Sequence, residues 1–176
     1  MRKIIGIGGE SATGKSTLLK SLVETLGPAS NWHWGTLSGP WYPEAQVMVL
    51  GAGGGVRYQA HAQLFLQVLP AMAEYRDLVV LFEGAPLFNI SFLTYCKVKI
   101  ASTVPSTLVY ALETSEATLD YRRQQRGDKQ TRRCLREQAA KIKAILKDFP
   151  HAVRLRSESL EDLEKNVEVL REAIFK

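Results

Sequence analysis

The residues with the clearest potential for chemistry lie near the start of the chain, from Gly9 to Ser16. The segment reads GESATGKS and matches the pattern G-x-x-x-x-G-K-[ST] at every defined position. Glycines let a backbone wrap closely around phosphates, and the N–H groups of such a loop point inward and bind anions. The segment therefore predicts a phosphate-binding loop, with a glycine-rich turn that holds a lysine and a serine by chance as the alternative.

In this loop, Lys15 is expected to reach the β- and γ-phosphates of a nucleotide and to act as a catalytic residue. The Ser16 hydroxyl is expected to ligate Mg²⁺. The residues predicted to bind the nucleotide are Gly9, Glu10, Ser11, Ala12, Thr13, Gly14, Lys15, Ser16 and Thr17.

A second candidate, Glu83, directly follows the apolar run from Leu78 to Phe82. Open α/β sheets place their ligand crevice at the carboxyl ends of such buried strands. There, a carboxylate could hold a Mg²⁺-bound water or accept the proton of an attacking hydroxyl group, so Glu83 is both a metal and a catalytic candidate. A capping or solvent-exposed acid is the alternative. Asp77 precedes the same run and is expected at the opposite edge.

Positive charge is concentrated in one segment. Between Arg122 and Arg136 there are seven basic residues and one acidic residue, a net charge of +6, whereas the remaining 16 basic and 17 acidic residues sum to −1. In phosphoryl transfer, arginines close over the triphosphate, stabilise its developing charge and exclude water. Arg122 and Arg126 share a helical face and are the candidate catalytic arginines. A solvated helix face and a patch that contacts nucleic-acid phosphates are the alternatives.

An aromatic and glycine-rich region lies between the loop and Glu83. An aromatic cluster can stack on a base, and a glycine run lets a ligand approach the backbone. Ordinary core and turn residues are the alternative. We expect the acceptor site here, between Asn31 and Gly55, and assign no catalytic role to His33 or His61. The aromatic residues are Trp32, Trp34, Trp41 and Tyr42, and the glycines follow at 51–55.

Alternating strand and helix patterns are expected to position these residues. Short apolar runs predict buried strands, and apolar residues at helical spacing predict helices. This alternation predicts an α/β fold with helices on both faces of a parallel sheet. The predicted strands are 3–8, 46–50, 78–82, 107–112 and 152–155, and the predicted helices are 15–26, 59–75, 115–126, 131–147 and one that begins at a capping box formed by Ser159 and Asp162.

Length and composition indicate an ordinary globular domain covering residues 1–176. Cys96 and Cys134 lie far apart and have no ligand-spaced partners, so neither a disulfide framework nor a zinc site is predicted. The apolar stretch from Ile4 to Ile7 is too short for a leader, and no run approaches the roughly 20 residues that cross a bilayer. We therefore expect a cytoplasmic protein with no membrane partner.

The loop, the strand ending in Phe82-Glu83-Gly84 and the segment from Leu112 to Gly127 together resemble the nucleoside and nucleotide kinase group of P-loop proteins. The resemblance covers most of the chain. It implies a P-loop three-layer α/β/α sandwich with a five-stranded parallel sheet, use of ATP and Mg²⁺, and an arginine-rich helical lid at about 115–136. The Asp-Arg and Asp-Gly-Phe-Pro-Arg signatures of the nucleoside monophosphate branches do not occur.

The run from Val47 to Gly51, followed by glycines at 53–55 and by Phe82-Glu83-Gly84, is similar to bacteriophage kinases that phosphorylate 5-hydroxymethyluracil within DNA. This similarity implies transfer of the γ-phosphate of ATP to the hydroxymethyl group of an extruded base in a DNA partner, in the host cytoplasm. A kinase for a small nucleoside, nucleotide or metabolite is one alternative. A P-loop NTPase that transfers no phosphate to an acceptor is another.

Overall fold

The computed structural model describes residues 2–34, 37–50, 75–84, 88–99 and 106–176. The glycine run at 51–55, His61 and nearly all of the helix predicted for 59–75 lie outside the described residues.

A seven-stranded sheet organises the part of the chain that the structure describes. Its strands are β1 (Lys3–Gly9), β2 (Ser30–Trp34), β3 (Leu37–Tyr42), β4 (Val47–Leu50), β5 (Val79–Glu83), β6 (Ser106–Glu113) and β7 (Val153–Arg156). Their order across the sheet is β2-β3-β4-β5-β1-β6-β7. All the pairings from β4 to β7 are parallel, and those of β2 with β3 and of β3 with β4 are antiparallel.

Five helices accompany the sheet in the described ranges. They are α1 (Lys15–Val23), α2 (Ile90–Lys99), α3 (Glu116–Gln125), α4 (Arg132–Asp148) and α5 (Leu160–Phe175). Side-chain caps fix the starts of the last three, because the hydroxyls of Ser115, Thr131 and Ser159 each accept a backbone N–H from the first turn. At α5 the Asp162 carboxylate also accepts the Ser159 N–H, which completes the predicted capping box.

The expected α/β fold with a mainly parallel sheet is confirmed, but the prediction of five strands is wrong. The additional strands, β2 and β3, form an antiparallel hairpin beside β4. Gly39 and Pro40 lie inside β3, where such residues normally argue against a strand. Here the glycine permits a close approach, since a Cβ on Gly39 would lie 2.3 Å from the Val49 carbonyl oxygen.

Apolar side chains cover both faces of the sheet and give the molecule three layers. On one face, residues of α1 and α5 such as Leu18 and Leu170 pack against Ile5 of β1. On the other face, residues of α2 and α4 such as Leu93 and Ile145 pack in a cluster with Ile4. A strand covered on both faces must be apolar at successive positions, which is why β1 and β5 appear in the sequence as continuous apolar runs.

The parallel register brings the carboxyl ends of five strands, β1 and β4 to β7, to one edge of the sheet. Ile7 of β1 is aligned with Glu83, and Gly9 is aligned with Leu112 of β6. Glu113 of β6 is in turn aligned with Arg156, the last residue of β7. The residues that follow β1, β5 and β7 therefore converge, and this edge positions the candidate site. In the described ranges, no helix has the length and apolar character that a membrane span requires.

The close approach at Gly39 leads to a test of the hairpin. We expect Gly39→Ala to lower the free energy of unfolding by about 1–3 kcal/mol, because the added methyl group would collide with the β4 backbone. Ser38→Ala is the matched control, since Ser38 is the exposed neighbour in β3, and it should change stability by less than about 0.5 kcal/mol. Urea denaturation measures both variants. Equal stability of the two would contradict the docking of β3 on β4.

Candidate functional site

The loop between β1 and α1 has a backbone conformation that explains its glycines. Gly9 has φ +141° and Gly14, the N-terminal cap of α1, has φ +93°. Both values favour glycine. Space is also restricted, because a Cβ on Gly9 would lie 2.7 Å from Thr13 Oγ1 and 2.9 Å from the Leu112 carbonyl oxygen. The loop therefore wraps tightly and leads directly into the positive end of α1.

The side chain of Lys15 folds back over this loop. Its Nζ donates to the Glu10 carbonyl oxygen at 2.6 Å and lies 3.5 Å from Thr13 Oγ1. Burial lowers the pKa of Lys15, Glu83 raises it, Arg126 lowers it further, and Glu10 raises it. The ammonium group thus lies at the loop, among charged groups of both signs.

Ser16 and Glu83 are in direct contact. The hydroxyl of Ser16, in the first turn of α1, donates to Glu83 Oε1 at 3.0 Å. Glu83 lies at the carboxyl end of β5, next to the strand that leads into the loop. The two predicted metal ligands therefore lie side by side, and both provide the oxygen atoms that Mg²⁺ prefers.

The two candidate arginines have different environments. Arg122 donates to three backbone carbonyl groups, those of Ala12 at 3.5 Å, Ser157 at 2.9 Å and Glu158 at 3.3 Å. It therefore ties the loop to the chain that follows β7. Arg126 is exposed, and its charge acts on Lys15. The segment 115–136 contains α3, a turn and the start of α4, and its function as a lid stays a prediction.

Cavities lie on both sides of the loop. One, of about 460 Å³, extends from Gly14 and Thr17 past Arg122 and Arg126 to residues 157–160. A second, of about 220 Å³, is lined by Lys15, Gly84, Phe88 and residues of the turn before α4 and of α4 itself, among them Gln138 and Lys141. A larger one, of about 900 Å³ between β6 and α4, touches Glu10 and Thr13 but neither Lys15 nor Ser16. We associate the first two with the site because they adjoin the loop and the start of α1.

The aromatic residues of the predicted acceptor region pack mainly on the sheet. Trp32 and Trp41 lie against the core, the Trp41 ring centroid is 5.6 Å from that of Tyr75, and Tyr42 is buried. For these residues the core interpretation fits the structure better than base stacking. The side chain of Trp34 lies outside what the structure describes, and the acceptor site stays a prediction.

Comparison with solved structures gives a fold assignment. A shikimate kinase from Bacteroides thetaiotaomicron superposes with a TM-score of 0.51 and 14% identity, over 99% of this chain and 98% of that one. The chain shares the fold of this kinase. A gluconokinase from Sinorhizobium meliloti 1021 (TM-score 0.49, 14% identity, 98% and 95% coverage) and a sugar kinase from Janibacter sp. HTCC2649 (0.48, 13%, 98% and 93%) are also similar. No family model and no curated protein sequence matches the chain.

Several residues at the loop were not singled out from the sequence. Ser157 Oγ donates to the Thr13 carbonyl oxygen at 2.7 Å. Its position after β7, at the same sheet edge as the loop, is a signal that could have identified it.

The contacts that neighbouring segments make with the loop have no comparable signal in the sequence. The Ser11 N–H donates to Gln138 Oε1 at 3.2 Å, and Ser11 Oγ donates to Asp128 Oδ2 at 3.1 Å. Arg123 also reaches the loop, where its Nη2 is 3.3 Å from Glu10 Oε2. These contacts depend on how the helices pack across the sheet edge, which the helical periodicity of one segment does not specify.

The partly buried ammonium group of Lys15 predicts a pH-dependent stability. Because burial lowers its pKa below the ordinary 10.5, the folded protein binds this proton less tightly than the unfolded chain does. The charge therefore destabilises the ligand-free fold at neutral pH, and the penalty vanishes as the pH rises through the lowered pKa to 10.5. We expect Lys15→Met to raise the free energy of unfolding at neutral pH, with a gain that shrinks as the pH approaches that value.

Denaturation of both proteins over a pH series measures this difference. Lys20→Met is the control, because Lys20 is exposed on the same helix and should give a difference below about 0.5 kcal/mol at every pH. A stability difference for Lys15→Met that is constant with pH would contradict the interpretation.

Proposed function

We propose that the protein is an ATP-dependent kinase that transfers the γ-phosphate of ATP to a hydroxyl group. The observation that carries the proposal is the arrangement at the loop, where the Lys15 ammonium lies at the Glu10 carbonyl and the Ser16–Glu83 pair lies at the start of the same helix. Phosphoryl transfer requires little covalent chemistry from a protein, and positioning with charge stabilisation supplies most of the catalysis. The arrangement at the loop supports both the positioning of the phosphates and the stabilisation of their charge.

In the proposed mechanism the loop amides and the positive end of α1 bind the phosphates, and Lys15 neutralises the transferred group. Ser16 and Glu83 would hold Mg²⁺, which when bound supplies charge neutralisation at the phosphate oxygens. The contact at 3.0 Å between these side chains favours the metal role of Glu83, because the carboxylate already faces the serine hydroxyl. Glu83 would also orient the acceptor hydroxyl from the carboxyl end of β5.

The cavity of about 460 Å³ beside Gly14 and Thr17 is large enough for the nucleoside part of ATP. In this proposal Arg126, exposed at the wall of that cavity, contributes positive charge at the triphosphate. Arg122 acts through the backbone, because its guanidinium group holds the loop against residues 157–158.

Transfer to an acceptor is favoured over simple hydrolysis by the second cavity. It adjoins Lys15 on the side of Gly84 and Phe88 and offers Lys141 as a polar group for an acceptor. The shared fold with a shikimate kinase supports a small hydroxyl compound as the acceptor.

A second acceptor class is the hydroxymethyl group of 5-hydroxymethyluracil in DNA. The observation that favours it is the exposed basic surface at the start of α4, where a DNA backbone would be bound without base recognition. The exposed cations there are Lys129, Arg132, Arg133 and Arg136, and the Arg133 side chain is 87% exposed although it pairs with Glu137.

The kinase proposal predicts the effect of removing the ammonium group. We expect Lys15→Ala to lower phosphoryl transfer from labelled ATP at least about 10²-fold, because a preorganised charge at the transferred group is lost. Lys20→Ala, on the exposed side of α1, should retain activity within about twofold of the wild type. Unchanged turnover in Lys15→Ala would refute the assignment of the loop as the catalytic phosphate site.

The acceptor is identified by a matched panel. Labelled ATP is offered with duplex DNA that contains or lacks 5-hydroxymethyluracil, and separately with small hydroxyl compounds that include nucleosides, sugars and hydroxy acids. Label on modified DNA alone, reduced by Arg132→Gln with Arg136→Gln and by added salt, is expected if DNA is the acceptor. Label on a small compound alone excludes the DNA acceptor, and release of free phosphate at an equal rate without any acceptor excludes the kinase.

A further inference from the structure

We propose that Arg123 is a positioning residue that makes the loop suitable for a triphosphate by neutralising the carboxylate of Glu10. The inference rests on the proposed function, since it concerns nucleotide binding at the same loop. Beyond that function, it assigns the affinity of the loop for the phosphates to the balance between two specific charges, those of Glu10 and Arg123.

Glu10 presents an electrostatic problem. It is the second residue of a loop whose backbone amides face a polyanion, and its side chain is 32% exposed. An unpaired carboxylate beside a triphosphate repels it, and the repulsion is larger near a protein surface than in water because the effective dielectric constant is lower. A loop with this residue therefore needs a nearby cation other than Lys15, whose charge is used at the phosphates.

Arg123 lies in the position that this requirement calls for. Its Nη2 is 3.3 Å from Glu10 Oε2 and donates to the Ser11 carbonyl oxygen at 3.4 Å. Its Nη1 is also 3.4 Å from Asp120, but the Asp120 side chain is 69% exposed and its charge is screened by solvent. Because the Glu10 side chain is 32% exposed and the Asp120 side chain is 69% exposed, the pair with Glu10 is the less screened and the stronger of the two.

Glu10 also supports the catalytic lysine through its backbone. Its carbonyl oxygen accepts the Lys15 ammonium at 2.6 Å and the Thr13 hydroxyl at 2.9 Å. Arg123 Nη2 contacts both the Glu10 carboxylate and the Ser11 carbonyl oxygen, so it holds the part of the loop that the Lys15 side chain contacts. Arg123 Nε is buried without a hydrogen-bond partner among the described residues, a cost that its three Nη contacts must offset.

The competing explanation is that Arg123 only holds α3 against the loop and that its charge is not needed for binding. Both explanations expect Arg123→Gln to weaken nucleotide binding. They differ when Glu10 is changed as well. If Arg123 acts by neutralising charge, removal of the Glu10 carboxylate restores binding. If Arg123 acts only as a structural contact, binding stays weak in the double variant.

The experiment measures the dissociation constant of Mg-ATP by calorimetry for the wild type, Arg123→Gln, Glu10→Gln and the double variant, with thermal unfolding of each. We expect Arg123→Gln to bind about tenfold more weakly. Glu10→Gln should bind more tightly than the wild type, because it leaves the Arg123 charge unpaired beside the phosphates, and the double variant should bind within about threefold of the wild type. A double variant that binds as weakly as Arg123→Gln overturns the inference.

Two further variants make the test decisive. Arg171→Gln removes the same charge from a pair with Glu168 on α5, and it should leave binding unchanged with or without Glu10→Gln. Arg123→Lys keeps the charge and should bind within about threefold of the wild type, so a tenfold loss there would show that the shape of the guanidinium group matters instead. A wild type that does not bind Mg-ATP overturns the proposed function, whereas normal wild-type binding without rescue overturns this inference alone.

Discussion

The hydrogen bond that Lys15 Nζ donates to the Glu10 carbonyl oxygen is the interaction on which the rest of the site depends. It requires a backbone that turns through positive φ at Gly9 and Gly14, and it brings an ammonium group to a partly buried position. The pKa of Lys15 is lowered by that burial, while Glu83 and Glu10 act in the opposite direction. The acids around the loop therefore help to keep the ammonium charged, although each of them also repels an anion.

The sheet makes this arrangement possible because its parallel strands end at one edge. This part of the site could be predicted from the sequence, since short apolar runs identify buried strands and the residues after them share an edge. Glu83 was located in this way, and its contact with Ser16 agrees with that reasoning. Ser157, after β7, could have been located by the same rule.

Other features could not be predicted because they depend on packing between distant segments. The hairpin of β2 and β3 contains Gly39 and Pro40, and the close approach of Gly39 to the Val49 carbonyl oxygen, which accounts for the glycine, depends on a segment about ten residues further along the chain. Likewise, Arg122 and Arg123 are adjacent on one helix. Sequence alone does not specify that the first meets carbonyl groups beyond β7 and the second meets Glu10.

The contacts that the basic residues of α3 make with the loop limit how the segment at 115–136 can move. Arg122 and Arg123 attach α3 to the loop, so this helix cannot move away without breaking its contacts with the Ala12 and Ser11 carbonyl oxygens. Gly127, with φ +60° and open space at its Cβ position, follows Arg126, the C-terminal cap of α3. A movement of the residues after Gly127 would break the contacts of Asp128 and Gln138 with Ser11 and would release the Ser11 N–H and hydroxyl as donors for an anion.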